Sequence, residues 1–478
     1  MLLSSSDDDE FKQQQVKQVI PSPPLTPPIP SMRVWTRQLV AQTVSEGQLL
    51  IIANDKVYDL TKWVAHHPGG ALAIQRMIGM DATDAMIAFH PQWVFEKRLP
   101  HFCVGILHPD SCYTSPVSLA YRELHSSLNM AGLFKRNDSF FVREIVKFLL
   151  LWVGMVGLAV YGPNTVWNYT VSALLAATLW HQAAFVAHDA GHSGITHDRQ
   201  FDTLFGICLA DFFGGLSLGW WKRNHNVHHI VTNDPEHDPD IQHLPFLAVS
   251  PRFTENLFSS YYGCVLEFDQ AAKLFVPKQH WLFYIILAFG RFNLYANSWS
   301  YVLSRSFHVP FRSFEIVGML CFWTWFGWML CNLPSWQHAL VYVLVSHMAT
   351  VFLHLQITLS HFGMSTVEHK TQVGEFLIEE TYAEKALRTT MDVDCPRWMD
   401  WFHGGLQFQI EHHLFPRIPR PNLRRVRPLV ESFARENNLE FHAFEFVAGN
   451  RYVLGVLEQV AHQIKAVLSV DPARVHIH

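Results

Sequence analysis

Four stretches of the chain stay apolar over lengths that a half-buried soluble helix does not need: Ile145 to Tyr161, Tyr169 to Ala187, Glu315 to Leu333 and His338 to Leu359. Each is close to the 17–25 residues that cross bilayer hydrocarbon, so the pattern predicts four spanning helices. The short uncharged connections Gly162 to Trp167 and Asn332 to Gln337 tie them into two hairpins. Two weaker apolar segments, Phe201 to Trp221 and Trp281 to Trp299, are interrupted by Asp202, Asp211, Arg291 and several asparagines. They predict helices lying at the membrane interface rather than crossing it. Ahead of the spans the pattern changes. Gln48 to Leu60 predicts two short strands around an Asn54-Asp55 turn, within a compact mixed unit covering residues 32–108. Residues 1–31 run from Asp7-Asp8-Asp9-Glu10 through glutamines into six prolines between Pro21 and Pro30. They lack both an apolar period and the basic-then-apolar pattern of a secretory signal, and predict a disordered tail. Residues 109–140 are expected to be a linker, and 141–478 the membrane domain.

Composition reinforces the bilayer. Charged residues make up only 16% of the 478-residue chain, against roughly 25% in ordinary soluble proteins, while Phe and Trp number 36 and 16. A formal net charge of −5 gives no basic stripe for DNA or RNA, which are excluded as partners. The cysteines at 103, 112, 208, 264, 321, 331 and 395 are odd in number and scattered, which predicts free thiols rather than a disulfide framework. Lys135, Arg136, Arg143 and Lys147 precede the first span, and Arg199, Lys222 and Arg223 follow the second. The positive-inside bias then places both termini on the cytosolic side. The Asn168-Tyr169-Thr170 sequon sits at the edge of a span and is expected to carry no glycan.

The chemistry lies in three short segments, His188-Asp-Ala-Gly-His192, His225-Asn-Val-His228-His229 and Gln409-Ile-Glu-His412-His413. Spacings of three and four residues put side chains on one helical face, so each segment presents its imidazoles to a common side. Seven histidines exceed the needs of one zinc. Clustered imidazoles suit Fe, Cu or Zn, and this number beside a membrane indicates two metal ions, with iron preferred if the chemistry uses oxygen. Asp189, Asp238, Asp240 and Glu411 are candidates for carboxylates that hold imidazole N–H groups. His403, His237 and His243 receive no assignment.

Within residues 32–108, Val57-Tyr58-Asp59-Leu60-Thr61, Trp63, His67-Pro68-Gly69-Gly70, Gly79-Met80-Asp81-Ala82-Thr83 and Phe89-His90-Pro91 resemble cytochrome b5. The resemblance implies a small α+β domain holding haem b, with His67 and His90 as axial ligands and electron transfer as its task. His66 lacks the Pro-Gly-Gly context and is not assigned. The three histidine segments, ordered HxxxH, HxxHH and QxxHH around two hairpins, resemble the membrane-bound fatty acyl desaturases, and Gln409 marks their front-end branch, whose members carry a cytochrome b5 domain. This implies an α-helical membrane domain of four spans with a cytosolic helical cap, in the endoplasmic reticulum membrane, with the histidine segments in the cytosol. It also implies two non-haem irons held by His188, His192, His225, His228, His229, His412 and His413, O2 as co-substrate, and NADH-cytochrome b5 reductase as electron source. Two further candidates are His361, where the wider family often has another ligand, and Gln409, whose amide oxygen is a weaker donor. Removing hydrogens from an unactivated methylene needs an oxidant that side chains lack and an oxygen-activating metal supplies. The run Gly214 to Asn233 with Asp238 to Pro245 resembles the fungal sphingolipid 8-desaturases, which implies the long-chain base of a ceramide as substrate. The rival readings are a front-end acyl desaturase of the 5- or 6-type, a b5-fused lipid hydroxylase, and a non-enzymatic membrane haem protein that donates electrons.

Overall fold

The computed structural model describes residues 32–373 and 376–469. The expected disordered tail, 1–31, lies outside the described residues. The amino-terminal unit is built on a sheet of order β1-β4-β3-β2, with β1 Arg33–Trp35, β2 Leu50–Ala53, β3 Lys56–Asp59 and β4 Cys103–Leu107. The predicted hairpin pairs Leu50 with Asp59 and Ala53 with Lys56. Its turn residues, Asn54 and Asp55, sit at φ 48° and 57°, a left-handed pair that matches the twist of the flanking strands. Strand alternation divides the apolar side chains between two layers. Leu50, Ile52 and Val57 pack with Trp35, Val40 and Leu107 on one face. Ile51, Ala53 and Tyr58 pack with Leu60, Ala82 and Leu99 on the other, where Trp63, Ile74, Met77, Met86 and Phe102 close over them.

All four expected spans are present, as Asp138–Tyr161, Val166–Gly191, Arg312–Cys331 and Trp336–Phe362. Three of the four begin where a polar cap satisfies a free amide: Asn137 Oδ1 accepts from Phe140 N at 3.2 Å, Thr165 Oγ1 from Asn168 N at 3.3 Å, and the Ser335 side chain from His338 N. The fourth span is broken into Trp336–Met348 and Val351–Phe362. The sequon residue Asn168 donates its Nδ2 to the Leu158 carbonyl.

One expectation needs correction. The region read as a linker is largely the helix Pro116–Met130, whose Tyr121 and Leu128 are completely buried. Tyr121 donates to the Leu414 carbonyl at 2.8 Å and stacks on Phe415, so this segment is part of the membrane-domain packing. Its apolar positions are few, and their partners lie nearly three hundred residues away, which is why local pattern missed them. In the weaker apolar segment Trp281 to Trp299, Arg291 is 2% exposed: its Nε donates to Tyr295 Oη at 2.9 Å and its guanidinium lies 4.0 Å from the Trp180 ring.

The other weak segment forms Arg199–Phe213 and Leu218–Ile230, bent against each other by 116°. Gly215 makes the bend possible. It adopts φ 69°, and a Cβ there would lie 2.3 Å from Phe322 Cδ1. The helix Leu218–Ile230 therefore turns back beneath the end of the second span. The carboxy-terminal helix Phe446–Ser469 covers the fourth span through Val453 and Leu457, packed with Leu359 and Phe362.

Candidate metal and haem sites

The two hairpin connections lie at one end of the bundle, so the end of the second span, the end of the fourth and the returning helix meet at the other. His188 and His192 occupy the last turn and cap of Val166–Gly191. Between them Gly191 allows Trp221 to approach, since a Cβ at this position would stand 2.0 Å from Trp221 Cζ3. His225, His228 and His229 sit on Leu218–Ile230, and His412 and His413 on the short helix Gln409–Leu414. These seven side chains converge.

Six of them, together with His361, fall into two groups. One nitrogen each from His188, His192, His225 and His412 lies within 4.8 Å of the others, and the same holds for His228, His361 and His413. His361 thus joins the second group from the end of the fourth span. His229 lies between them, its Nε2 3.0 Å from His225 Nε2 and 3.1 Å from His412 Nε2.

A metal fits this arrangement because the imidazoles are oriented for one. In the second group every Nδ1 is committed outward: His228 donates to Asp238 Oδ2 at 2.9 Å, His361 to the Thr389 carbonyl at 3.2 Å and His413 to Thr232 Oγ1 at 3.3 Å. Those tautomers turn each Nε2 lone pair inward. His188 Nε2, His192 Nε2 and His413 Nε2 are buried with no hydrogen-bond partner, a costly state for a polar atom that a shared cation relieves. Burial holds His192, His229, His412 and His413 well below the usual histidine range, in the neutral ligating form. His228 differs. Burial opposes its charge, but Asp238 and Asp240 outweigh that and push it up to about 9, so a negative field already surrounds the position a cation would take.

Of the four candidate carboxylates, Asp238 bonds an imidazole directly. Asp240 lies 3.6 Å from His225 Nδ1, beyond a good hydrogen bond. The other two are corrected: Asp189 pairs with Arg420 at 3.0 Å, and Glu411 is buried beside Asp392, because the helix carrying each turns it away from the imidazoles. Gln409 lines a narrow cleft together with His188, His192, His412, Asp189 and Arg420. His403, His237 and His243 stand outside both groups. Sequence reasoning missed Thr232, which orients His413, and Asn233, whose Nδ2 donates to the His361 carbonyl at 2.9 Å. Their position directly after the second histidine segment was the available signal.

In the amino-terminal domain the rings of His67 and His90 face each other with centroids 5.9 Å apart. Each commits Nδ1 to a backbone carbonyl, His67 to Gly70 at 2.9 Å and His90 to Met86 at 3.3 Å, which leaves both Nε2 atoms free. Burial lowers His67 and pushes His90 down to about 4, so both are neutral. Two neutral imidazoles above apolar walls fit a flat iron macrocycle.

Residues 164–445 match the family described as Fatty acid desaturase. The chain belongs to that family. Residues 36–108 of the desaturase match the Cytochrome b5-like Heme/Steroid binding domain. The desaturase is 37% identical to a protein of Emericella nidulans named Delta 8-(E)-sphingolipid desaturase, over 90% of this chain and 95% of that one. A protein of the same name from Kluyveromyces lactis is 36% identical over 91% and 94% of the two chains. Delta(8)-fatty-acid desaturase 2 of Arabidopsis thaliana is 37% identical over 88% and 91%. The desaturase is accordingly a membrane oxidoreductase acting on lipid, with a fused haem-binding domain.

Proposed function

We propose that this desaturase introduces the 8-position double bond, with E geometry, into the long-chain base of ceramide-type sphingolipids. The names and near-complete coverage of the fungal relatives support the substrate and position. The observation that carries the chemistry is the convergence of six of the seven histidines, with His361, into two adjoining groups. His188, His192, His225 and His412 would hold one iron, and His228, His361 and His413 the other, with His229 between them. Gln409 lines the cleft beside the first group and is assigned to orienting a water or neighbour rather than to ligation. His67 and His90 would hold haem b.

When bound, the iron pair supplies the oxygen-derived oxidant that an unactivated methylene requires, and the haem supplies electrons one at a time. Over the whole reaction the substrate loses two hydrogens, and with two further electrons and two protons O2 becomes two waters. The chain's own residues prepare the site for this. Asp238, the Thr389 carbonyl and Thr232 fix the tautomers of three ligands. Trp221 and the buried faces of the spans exclude bulk water from the imidazoles.

The basic residues flanking the first hairpin support an orientation with both termini and the histidines in the cytosol, in the endoplasmic reticulum membrane. There an NADH-cytochrome b5 reductase would reduce the haem domain. The test is lipid mass spectrometry of cells that lack 8-unsaturated long-chain bases and express this chain. A new base lighter by two hydrogens is expected, absent with His228→Ala or His67→Ala. A product heavier by one oxygen would establish a hydroxylase instead, and an unsaturated acyl chain a front-end acyl desaturase.

A further inference from the structure

The second histidine segment touches more than the metal groups. On Leu218–Ile230, Asn226 and His229 are three residues apart and share a face. Asn226 Nδ2 donates to the Gly69 carbonyl at 3.0 Å. The His229 ring meets the Phe89 ring edge-on, with centroids 5.8 Å apart and planes at 89°. Gly69 follows His67 by two positions, and Phe89 immediately precedes His90. Thus a chain neighbour of each haem-facing histidine rests on the helix that carries the second histidine segment.

Two polar contacts flank this seat. Arg122, on the helix formerly read as linker, donates Nε to Asp84 Oδ1 at 2.6 Å, and Asp84 lies on the helix that ends at Phe89. Arg76 Nη1 stands 3.2 Å from His237 Nδ1 on the opposite side. Any contact elsewhere on the small domain would satisfy a simple tether. These contacts select the loops that frame the haem crevice.

We infer that Asn226 and Phe89 are positioning residues that seat the haem crevice on the second histidine segment, so that electrons cross the Phe89–His229 contact without a domain swing. The inference rests on the ligand assignments proposed above. Each crossing would carry one electron from a ferrous haem held by His67 and His90, leaving it ferric, to the metals held by the histidine groups. Two crossings, each preceded by re-reduction of the haem by a flavin- or nicotinamide-linked reductase, supply the two external electrons of one turnover. Asn226 and Phe89 themselves are neither oxidised nor protonated. Asn226 fixes the height and register of the His67 loop, and Phe89 fills the gap that water would otherwise enter between the two centres.

The test uses the full chain in lipid nanodiscs, loaded with haem and iron, comparing wild type with Asn226→Ala, Phe89→Ala and Phe89→Tyr. Haem spectrum and non-haem iron content are measured first, and absence of either in wild type would defeat the underlying ligand assignment rather than the docking. The haem is then pre-reduced and mixed with oxygenated nanodiscs containing ceramide, and its reoxidation is followed by absorbance. Asn226→Ala and Phe89→Ala are expected to slow reoxidation by about tenfold to a hundredfold, the penalty of a displaced reactive geometry, with the haem spectrum unchanged. Phe89→Tyr is expected to retain the wild-type rate. Hydrogen exchange of the backbone at 66–71 and 86–91 is expected to speed up in both alanine variants relative to wild type. Should Asn226→Ala lose iron, the Phe89→Ala protein, whose second histidine helix is intact, decides by the same two readouts. Reoxidation at the wild-type rate together with unaltered exchange in Phe89→Ala would overturn the inference.

Discussion

Replacing Asp238 with Asn tests the metal reading at a residue that touches no metal. Asp238 is fully buried and accepts three hydrogen bonds, from His228 Nδ1 at 2.9 Å, Asn233 N at 2.7 Å and Asp240 N at 2.9 Å. The first two converge on Oδ2 and the third on Oδ1. An asparagine amide keeps the shape but offers one acceptor oxygen in place of two, so in either orientation at least one N–H faces another N–H. A hydrogen bond to a charged group is worth about 1.5–3 kcal/mol, and a tenfold change in affinity corresponds to about 1.4 kcal/mol. Loss of one such bond, with His228 released from its tautomer, therefore predicts a metal affinity lower by roughly tenfold to a hundredfold, the range found for groups that orient ligands elsewhere. The assay is elemental analysis of purified full-length protein together with the rate of non-haem iron loss to a ferrous chelator. Haem absorbance serves as an internal control for folding of the other domain. Wild-type iron content and wild-type loss rate in Asp238→Asn would refute the claim that this carboxylate sets the orientation of a ligand.

Three further outcomes are expected. His361→Ala removes one of the three imidazoles of the second group, and non-haem iron per chain should fall by about half with haem unchanged, as elemental analysis and absorbance report. Stripping non-haem iron from the wild type should lower its thermal stability, because a ligand that binds only the folded state contributes on the order of 3 kcal/mol at a hundredfold excess over Kd; an unchanged unfolding temperature would mean the imidazole groups bind nothing. Tyr121→Phe leaves the Leu414 carbonyl, 2.8 Å away in the wild type, without its buried donor, and should cost about 1–3 kcal/mol in unfolding measurements while sparing the haem spectrum.

The spans were legible because bilayer burial imposes an unbroken apolar run, a signal that needs no partner to be read. The histidine segments were legible for a related reason: ligands on one helical face must recur at three and four residues whatever the rest of the chain does. His361 could be named from a resemblance, but its meeting with His228 and His413 depends on how the fourth span ends against the returning helix. The carboxylates show the limit more clearly. Asp189, Asp238 and Glu411 are all close in sequence to a histidine, yet Asp238 alone of these three bonds an imidazole, since a helix carries its neighbour at position i+1 about 100° away. The partners of Arg291 were not legible, because Trp180 lies more than a hundred residues away in the chain. Helix Pro116–Met130 was invisible because its partners, Leu414 and Phe415, belong to the far end of the chain.

That helix also sets where the protein can be cut and rejoined. A hybrid spliced near residue 140 would discard Tyr121 and Arg122, stripping support from the third histidine segment and the strut to Asp84 at once. A splice between Leu107 and Ser115 preserves both, since the backbone there leaves the sheet and has not yet entered the helix. Donor modules from other proteins should be grafted at that joint, and those carrying an aromatic residue where Phe89 stands and an acidic one where Asp84 stands will inherit the seat.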